Sequence, residues 1–198
     1  MKRIMAWTML IILLNACVPV VETGPKVALI NAPADQRVEG LADELERAIL
    51  RQSAPGEVAF VARNKVRFQE THRDMAGSRS ALQAAFIARA FGAEYAVTVG
   101  APVYTRTVKE GKGLFKNKRF IHLEVKLQAS FIDPASAEIS DVLESPLYVA
   151  DRIESLDEPI VAMEDDPDLK RNLEQATFFL SRPLATRIAI LLAALPKG

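Results

Sequence analysis

The chain has 198 residues, with 25 basic and 25 acidic side chains, and nearly half of it is apolar. That length suits one domain with a real core, and the even charge balance gives no support to a nucleic-acid partner. The single cysteine, Cys17, excludes a disulfide framework and any cysteine-rich metal site.

Lys2 and Arg3 precede an apolar run from Ile4 to Leu14, the layout of a targeting segment. The run is too short for a stable membrane-crossing helix, which needs about 20 apolar residues. It ends in Leu14-Asn15-Ala16-Cys17, which resembles the bacterial lipobox, although Asn15 departs from the usual small or apolar residue. The resemblance implies cleavage before Cys17, a diacylglyceryl thioether on its sulfur and an acylated new N-terminus. The alternatives are an ordinary signal peptide that contains a cysteine, or a small core cysteine. Several acyl chains anchor stably, because each buried methylene contributes about 0.8 kcal/mol while one chain alone is marginal. The expected boundaries are a signal over 1–16, a lipidated N-terminus and tether over 17–25, and one α/β domain with a C-terminal helix over 26–198. Val18 to Pro25 reaches at most about 26–29 Å when fully extended.

Lys26 to Asn31 is an apolar run between Pro25 and Pro33 and reads as a buried strand. Val38 to Gln52 sets Val38, Leu41, Ala42, Leu45, Ala48 and Ile49 on one helical face, and Ser53 to Gly56 ends it. Glu57 to Arg63 alternates as a second strand. Asn64 to Met75 is polar and reads as a short helix plus loop. Ser78 to Phe91 is helical, with Gly92 placed to end it in the left-handed conformation. Glu94 to Val103 is a nearly continuous β-branched strand. In Lys118 to Asp133 the residues Ile121, Leu123, Val125, Leu127, Ala129 and Phe131 face one way, and His122, Glu124, Lys126, Gln128 and Ser130 the other. This predicts a strand of a sheet covered on one side. Asp133 to Glu138 is a turn with Pro134 early in it, and Ile139 to Ala150 begins as a returning strand. After an acidic stretch, Glu154 to Asp168, the chain closes in a helical region where Pro183 kinks one helix or starts a second. Leu184, Ile188, Leu191, Leu192 and Leu195 share the face that docks. The order predicts an α/β fold with a single mixed sheet and helices packed against it.

Chemistry-bearing motifs are sparse. The segment Glu110 to Phe115 lacks the spacing of a phosphate loop, and no serine elbow or zinc-protease motif is present. His122 and Glu124 point to one strand face as a metal pair or, more simply, as solvated side chains; a third ligand is not visible. Glu164 to Lys170 offers oxygen ligands for calcium, or else a helix entry in which Asp166 or Asp168 caps free amides. No metal and no cofactor is expected. The surface feature that stands out is Arg106 to Arg119. It holds Arg106, Lys109, Lys112, Lys116, Lys118 and Arg119 against Glu110 alone, with Leu114 and Phe115 at its centre. It reads as a solvated hairpin tip, or as a contact loop for anionic lipid headgroups, an acidic polymer or a partner protein.

The order of elements and several local patterns resemble one envelope superfamily. It contains the N-terminal domain of TolB, the lipoprotein activators of penicillin-binding proteins, the curli secretion lipoprotein and the Pel export lipoprotein. The residues that carry the likeness are Lys26 to Pro33, Val58 to Arg63, Ala84 to Val103 and Phe131 to Ile139. Phe91-Gly92-Ala93-Glu94-Tyr95-Ala96-Val97 and Gly100 stand where the families have a glycine-ended helix leading into a strand. In the turn Asp133 to Ile139, Ser136-Ala137 replaces the families' Thr-Gly. The likeness covers roughly Lys26 to Tyr148. It implies a TolB-N-like, non-enzymatic domain that binds partners or assembles. The expected function is an accessory or scaffold component of an export or cell-envelope assembly, anchored through Cys17 at the periplasmic face of the outer membrane. Expected partners are the membrane, an envelope protein and further copies of the chain. An activator of a cell-wall synthase and a small-molecule or polymer-binding module are the alternatives.

Overall fold

A computed structural model describes residues 24–31, 41–72, 81–100, 102–159, 161–162 and 165–195. The signal, Cys17 and most of the tether, together with Val38, the start of the third predicted helix and Pro196 to Gly198, lie outside the described residues.

Strand β1 (Lys26–Asn31) is central, as the apolar run predicts. It pairs in parallel with β2 (Ala59–Phe60) and with β3 (Tyr95–Val99). Beyond β3 the sheet turns antiparallel through β6 (Gln128–Ile132) and β7 (Ile139–Glu144), giving the order β2-β1-β3-β6-β7. A second sheet, in the order β4-β5-β8, holds β4 (Val103–Glu110), β5 (Lys118–Lys126) and β8 (Tyr148–Ser155). The helices are α1 (Leu41–Leu50), α2 (Arg63–His72), α3 (Ala81–Ala90) and α4 (Pro167–Ala194). The fold is mixed α/β.

The expected single sheet is corrected to two, for a reason visible along one line of the molecule. Three long segments each break at the same level: between β3 and β4, after β5 at Leu127, and after β7 at 145–147. Pro102 and Pro146 have no N–H to give a ladder there. At the break the Leu127 amide donates to Ser145 Oγ at 2.9 Å, and the Ser145 amide returns a bond to the Leu127 carbonyl. The alternation survives the bend, and Ile121, Leu123, Val125, Leu127, Ala129 and Phe131 are all buried. The meander therefore bends while keeping one apolar face.

That face wraps α4. Leu169, Leu173, Leu180, Leu184, Ile188 and Leu192 join Leu45 and Ile49 of α1, Val97 of β3, Leu123 and Val125 of β5, Leu127, and Ala129 and Phe131 of β6 in one cluster. α4 is long and apolar enough to span a membrane by length and composition, but those leucines face this core. Pro183 lies inside a single helix rather than starting a second. On the opposite face of the first sheet, Ala28, Ile30, Ala96 and Ile132 pack against Val66 of α2 and against Ala84, Ala85, Ile87 and Ala88 of α3. Covering both faces is why β1 reads as an unbroken apolar run. Among the described residues, helices cover only the inner face of the second sheet.

Two ends behave as the sequence predicts. Gly92 has φ +60°, and the Ala93 amide reaches back to the Ala88 carbonyl at 2.9 Å while Gly92 bonds to Arg89, a Schellman stop for α3. Asp166 caps α4, accepting from the amides of Asp168 and Leu169, with Pro167 opening the helix. The predicted second strand shrinks to two residues because Arg63 already begins α2.

Ala137, where the resembling families carry glycine, sits at φ 61°. The turn holds it there: its amide donates to the Asp133 carbonyl at 2.8 Å, and Asp133 Oδ1 accepts from Ala135. A left-handed alanine costs about 1–2 kcal/mol, partly offset by the greater unfolded entropy of glycine. Ala137→Gly is expected to raise stability by about 0.5–1 kcal/mol, read as a higher urea midpoint at unchanged slope.

Candidate functional site

The basic segment forms a finger at the far end of the second sheet. β4 and β5 run antiparallel to it, from the pair Val103 and Lys126 to the pair Glu110 and Arg119. The Gly111 amide closes the hairpin on the Lys118 carbonyl at 2.7 Å, and a 3-10 turn over Gly113–Phe115 forms its tip. A side chain on Gly111 would bring its Cβ within 2.1 Å of the Phe115 carbonyl oxygen, so the turn requires glycine. This geometry leaves Leu114 100% exposed and Phe115 57% exposed. The Phe115 ring meets Phe120 edge-on, with centroids 6.0 Å apart. Phe120 pairs across the strands with Lys109 on one side and Ile153 on the other, and Ile153 is itself exposed. Leu114, Phe115, Phe120 and Ile153 thus give the tip and the nearby outer face an apolar surface. Lys109, Lys112, Lys116 and Lys118 are exposed around it. Glu110 stands in the last strand pair before the turn, and the turn after β8, whose Leu156 amide bonds to the Asn117 carbonyl at 3.1 Å, brings Asp157 and Glu158 beside the tip.

Two of the six basic residues do not belong to this surface, which corrects the sequence expectation. Arg106 is buried, 3.5 Å from Asp166 Oδ2, and donates to the Val161 carbonyl at 3.1 Å. Arg119 is buried against Glu154 at 3.4 Å and donates to the Glu158 carbonyl at 3.3 Å. Strand parity explains both. Arg119 shares the inward face of Ile121, and Arg106 stands opposite inward Leu123. The signal was in the alternation itself.

The sequence reading missed the partner that organises this inner face. Arg152 of β8 reaches both oxygens of Asp166, at 3.2 and 3.0 Å, together with Asp168 at 2.6 Å and Glu154 at 2.5 Å. Asp166 is therefore helix cap and ion-pair centre at once. Burial would raise its pKa, but the Arg152 hydrogen bond, the Leu169 amide and the charges of Arg152 and Arg106 outweigh burial and hold it below the ordinary range. A carboxylate depressed in the folded state stabilises above its unfolded pKa, about 3.9, and that contribution is lost as pH falls through the folded value. Arg152→Met is expected to cost about 2–3 kcal/mol at pH 7, less than the 3–5 kcal/mol of a fully buried pair because the side chain is partly exposed. In urea titrations the penalty should shrink at pH 3, where Asp166 is partly protonated in the unfolded chain and the variant has less to lose.

On the outer face, His122 is joined by Glu124 as the spacing predicts, and by Asp151 of β8, which it does not. Nδ1 lies 2.7 Å from Asp151 and Nε2 3.3 Å from Glu124. Among the described residues no group of three or more histidines, cysteines and carboxylates is arranged to hold a metal ion. The hydrogen bond to Asp151, then that to Glu124, raises the His122 pKa above the ordinary 6.5. A proton NMR titration should place its midpoint above that value, and Asp151→Asn should move it down.

No family profile and no curated protein matches the sequence. Among solved structures, a minor lipoprotein from Acinetobacter baumannii is similar at 14% identity over 91% of this chain and 98% of that one, with a TM-score of 0.36. Lipoprotein GNA1162 from Neisseria meningitidis is similar at 12% identity over 78% and 96%, with a TM-score of 0.39. LpoB from E. coli is similar at 14% identity over 69% and 64%, with a TM-score of 0.40. The neighbours are thus LpoB and minor bacterial lipoproteins, the kind of protein that the chain's motifs resemble. Overlap this loose carries no functional argument.

Proposed function

We propose that this chain is a lipid-anchored, non-catalytic protein of the bacterial cell envelope, an accessory or scaffold component of an export or cell-envelope assembly. In this reading Cys17 holds it at the periplasmic face of the outer membrane, and the domain from residue 26 onward is the working part. The observation that carries the reading is the finger: a glycine-shaped turn that holds Leu114 wholly in solvent among four lysines is a surface built for contact.

The position of the finger adds to this. The chain enters the domain at Gly24, whose amide bonds to the Gly56 carbonyl beside the start of β1. The start of β1 is level with Tyr95, the start of β3. From there β3 and β4, strands of 5 and 8 residues, contribute about 43 Å of rise toward the finger. Chain entry and contact surface therefore stand at opposite ends of the described domain. A tether of at most about 26–29 Å suits a component that works close to its own membrane better than an activator that must cross the cell wall.

Metabolic labelling with palmitate should mark the wild-type protein and fail to mark Cys17→Ala. Extracted in mild detergent, the wild type is expected to run as a discrete oligomer by native mass. A monomer would shift the reading to the synthase activator or the binding module, and loss of labelling selectivity would end the anchored reading.

A further inference from the structure

We propose that the finger is a second membrane contact: its tip enters the headgroup region of an anionic phospholipid bilayer, so that the domain lies along the membrane that holds its lipid. The inference rests on the anchored reading above and names what the finger touches.

The chemistry favours a bilayer over a folded protein partner. The tip is convex, and its leading residue, Leu114, is fully exposed on a preformed turn. A convex apolar point fits a fluid surface that deforms around it, whereas a protein partner must offer a matching pocket. Behind the tip, Phe115, Phe120 and Ile153 extend the apolar surface along the outer face of the second sheet. The cations exposed here are all lysines. The two arginines of the segment, which suit bidentate pairing, are occupied on the inner face. Lysines with flexible stems can lay their methylenes on apolar surface and keep each ammonium among lipid phosphates. Charge complementarity therefore points to an anionic lipid surface. Glu110, in the last strand pair before the turn, and Asp157 and Glu158, beside Asn117 and Lys118 on the β8 edge, flank the tip. The turn itself, Gly111 to Asn117, carries Lys112 and Lys116 and no carboxylate.

The geometry permits both attachments on one bilayer. The chain entry and the finger lie at opposite ends of β3 and β4, whose combined rise of about 43 Å is the upper limit of their separation, and both reach the surface when the long axis lies along it. That orientation turns the outer face of β4, β5 and β8, with Phe120 and Ile153, toward the headgroups.

The test uses the full-length lipoprotein with Leu114→Cys labelled by a polarity-sensitive dye; in the anchored reading Cys17 is a thioether and takes no label. Glu174→Cys, exposed on α4 on the other side of the second sheet, serves as the control position. In vesicles of phosphatidylethanolamine with phosphatidylglycerol, the probe at position 114 should shift to the blue and gain several-fold protection from aqueous iodide. The probe at position 174 should change in neither respect. The same protein in phosphatidylcholine vesicles, or carrying Lys112, Lys116 and Lys118 all replaced by Gln in the anionic ones, should lose the shift. An unshifted probe in anionic vesicles overturns the proposal, as does an equal shift in phosphatidylcholine. A shift seen only after adding a periplasmic extract also overturns it and assigns the finger to a protein partner. Two dyes per chain would instead report a free Cys17, a failure of the anchoring and not of the finger.

Discussion

One helix and one bent meander must bury each other, and the rest of the molecule depends on that. The inward residues from Leu123 to Phe131 form a single apolar line, and α4 presents Leu169 to Leu192 along its own length to meet it. A flat sheet of that length would run away from a straight helix. The break at Pro102, Leu127 and Pro146 lets the strands turn without changing which side chains face in. The two sheets are best understood as one meander folded around a rod.

At the far end of that rod, burial gives way to charge. Asp166 begins the helix, satisfies its free amides and gathers Arg106 and Arg152 from the two edge strands of the second sheet. Arg119 and Glu154 continue the line of pairs toward the finger. The strands that bear the finger are therefore braced from inside by ion pairs, while their outer face carries side chains that no helix covers. The lysines and apolar residues of the tip are free to meet something else because the arginines are not.

Much of this was legible in the sequence where periodicity speaks. The alternation through β5 and β6, the buried run of β1, the glycine that ends α3 and the capping role at Asp166 follow from residue type and spacing alone. The bend was not legible, because Leu127 keeps the inward parity and only its backbone leaves the ladder. Grouping all six basic residues by closeness in sequence ignored parity, which already placed Arg119 with Ile121. Asp151 and Arg152 escaped notice because their partners, His122 and Asp166, become neighbours only through the pairing of β5 with β8 and the docking of α4. Ala137 was seen as a departure from a glycine pattern, and its positive φ gives the physical meaning of that departure.

The reach of α4 also bears on when the protein can fold. α1 lies near the start of the described chain, yet the side that it buries is closed by α4 at the other end; Thr186 hydrogen-bonds Gln52 across 134 residues. Contacts this distant in sequence form late, because the intervening chain must first give up its freedom. The α1 side of the first sheet therefore has no complete core, and stays open, until the C-terminal helix is in place to cover it.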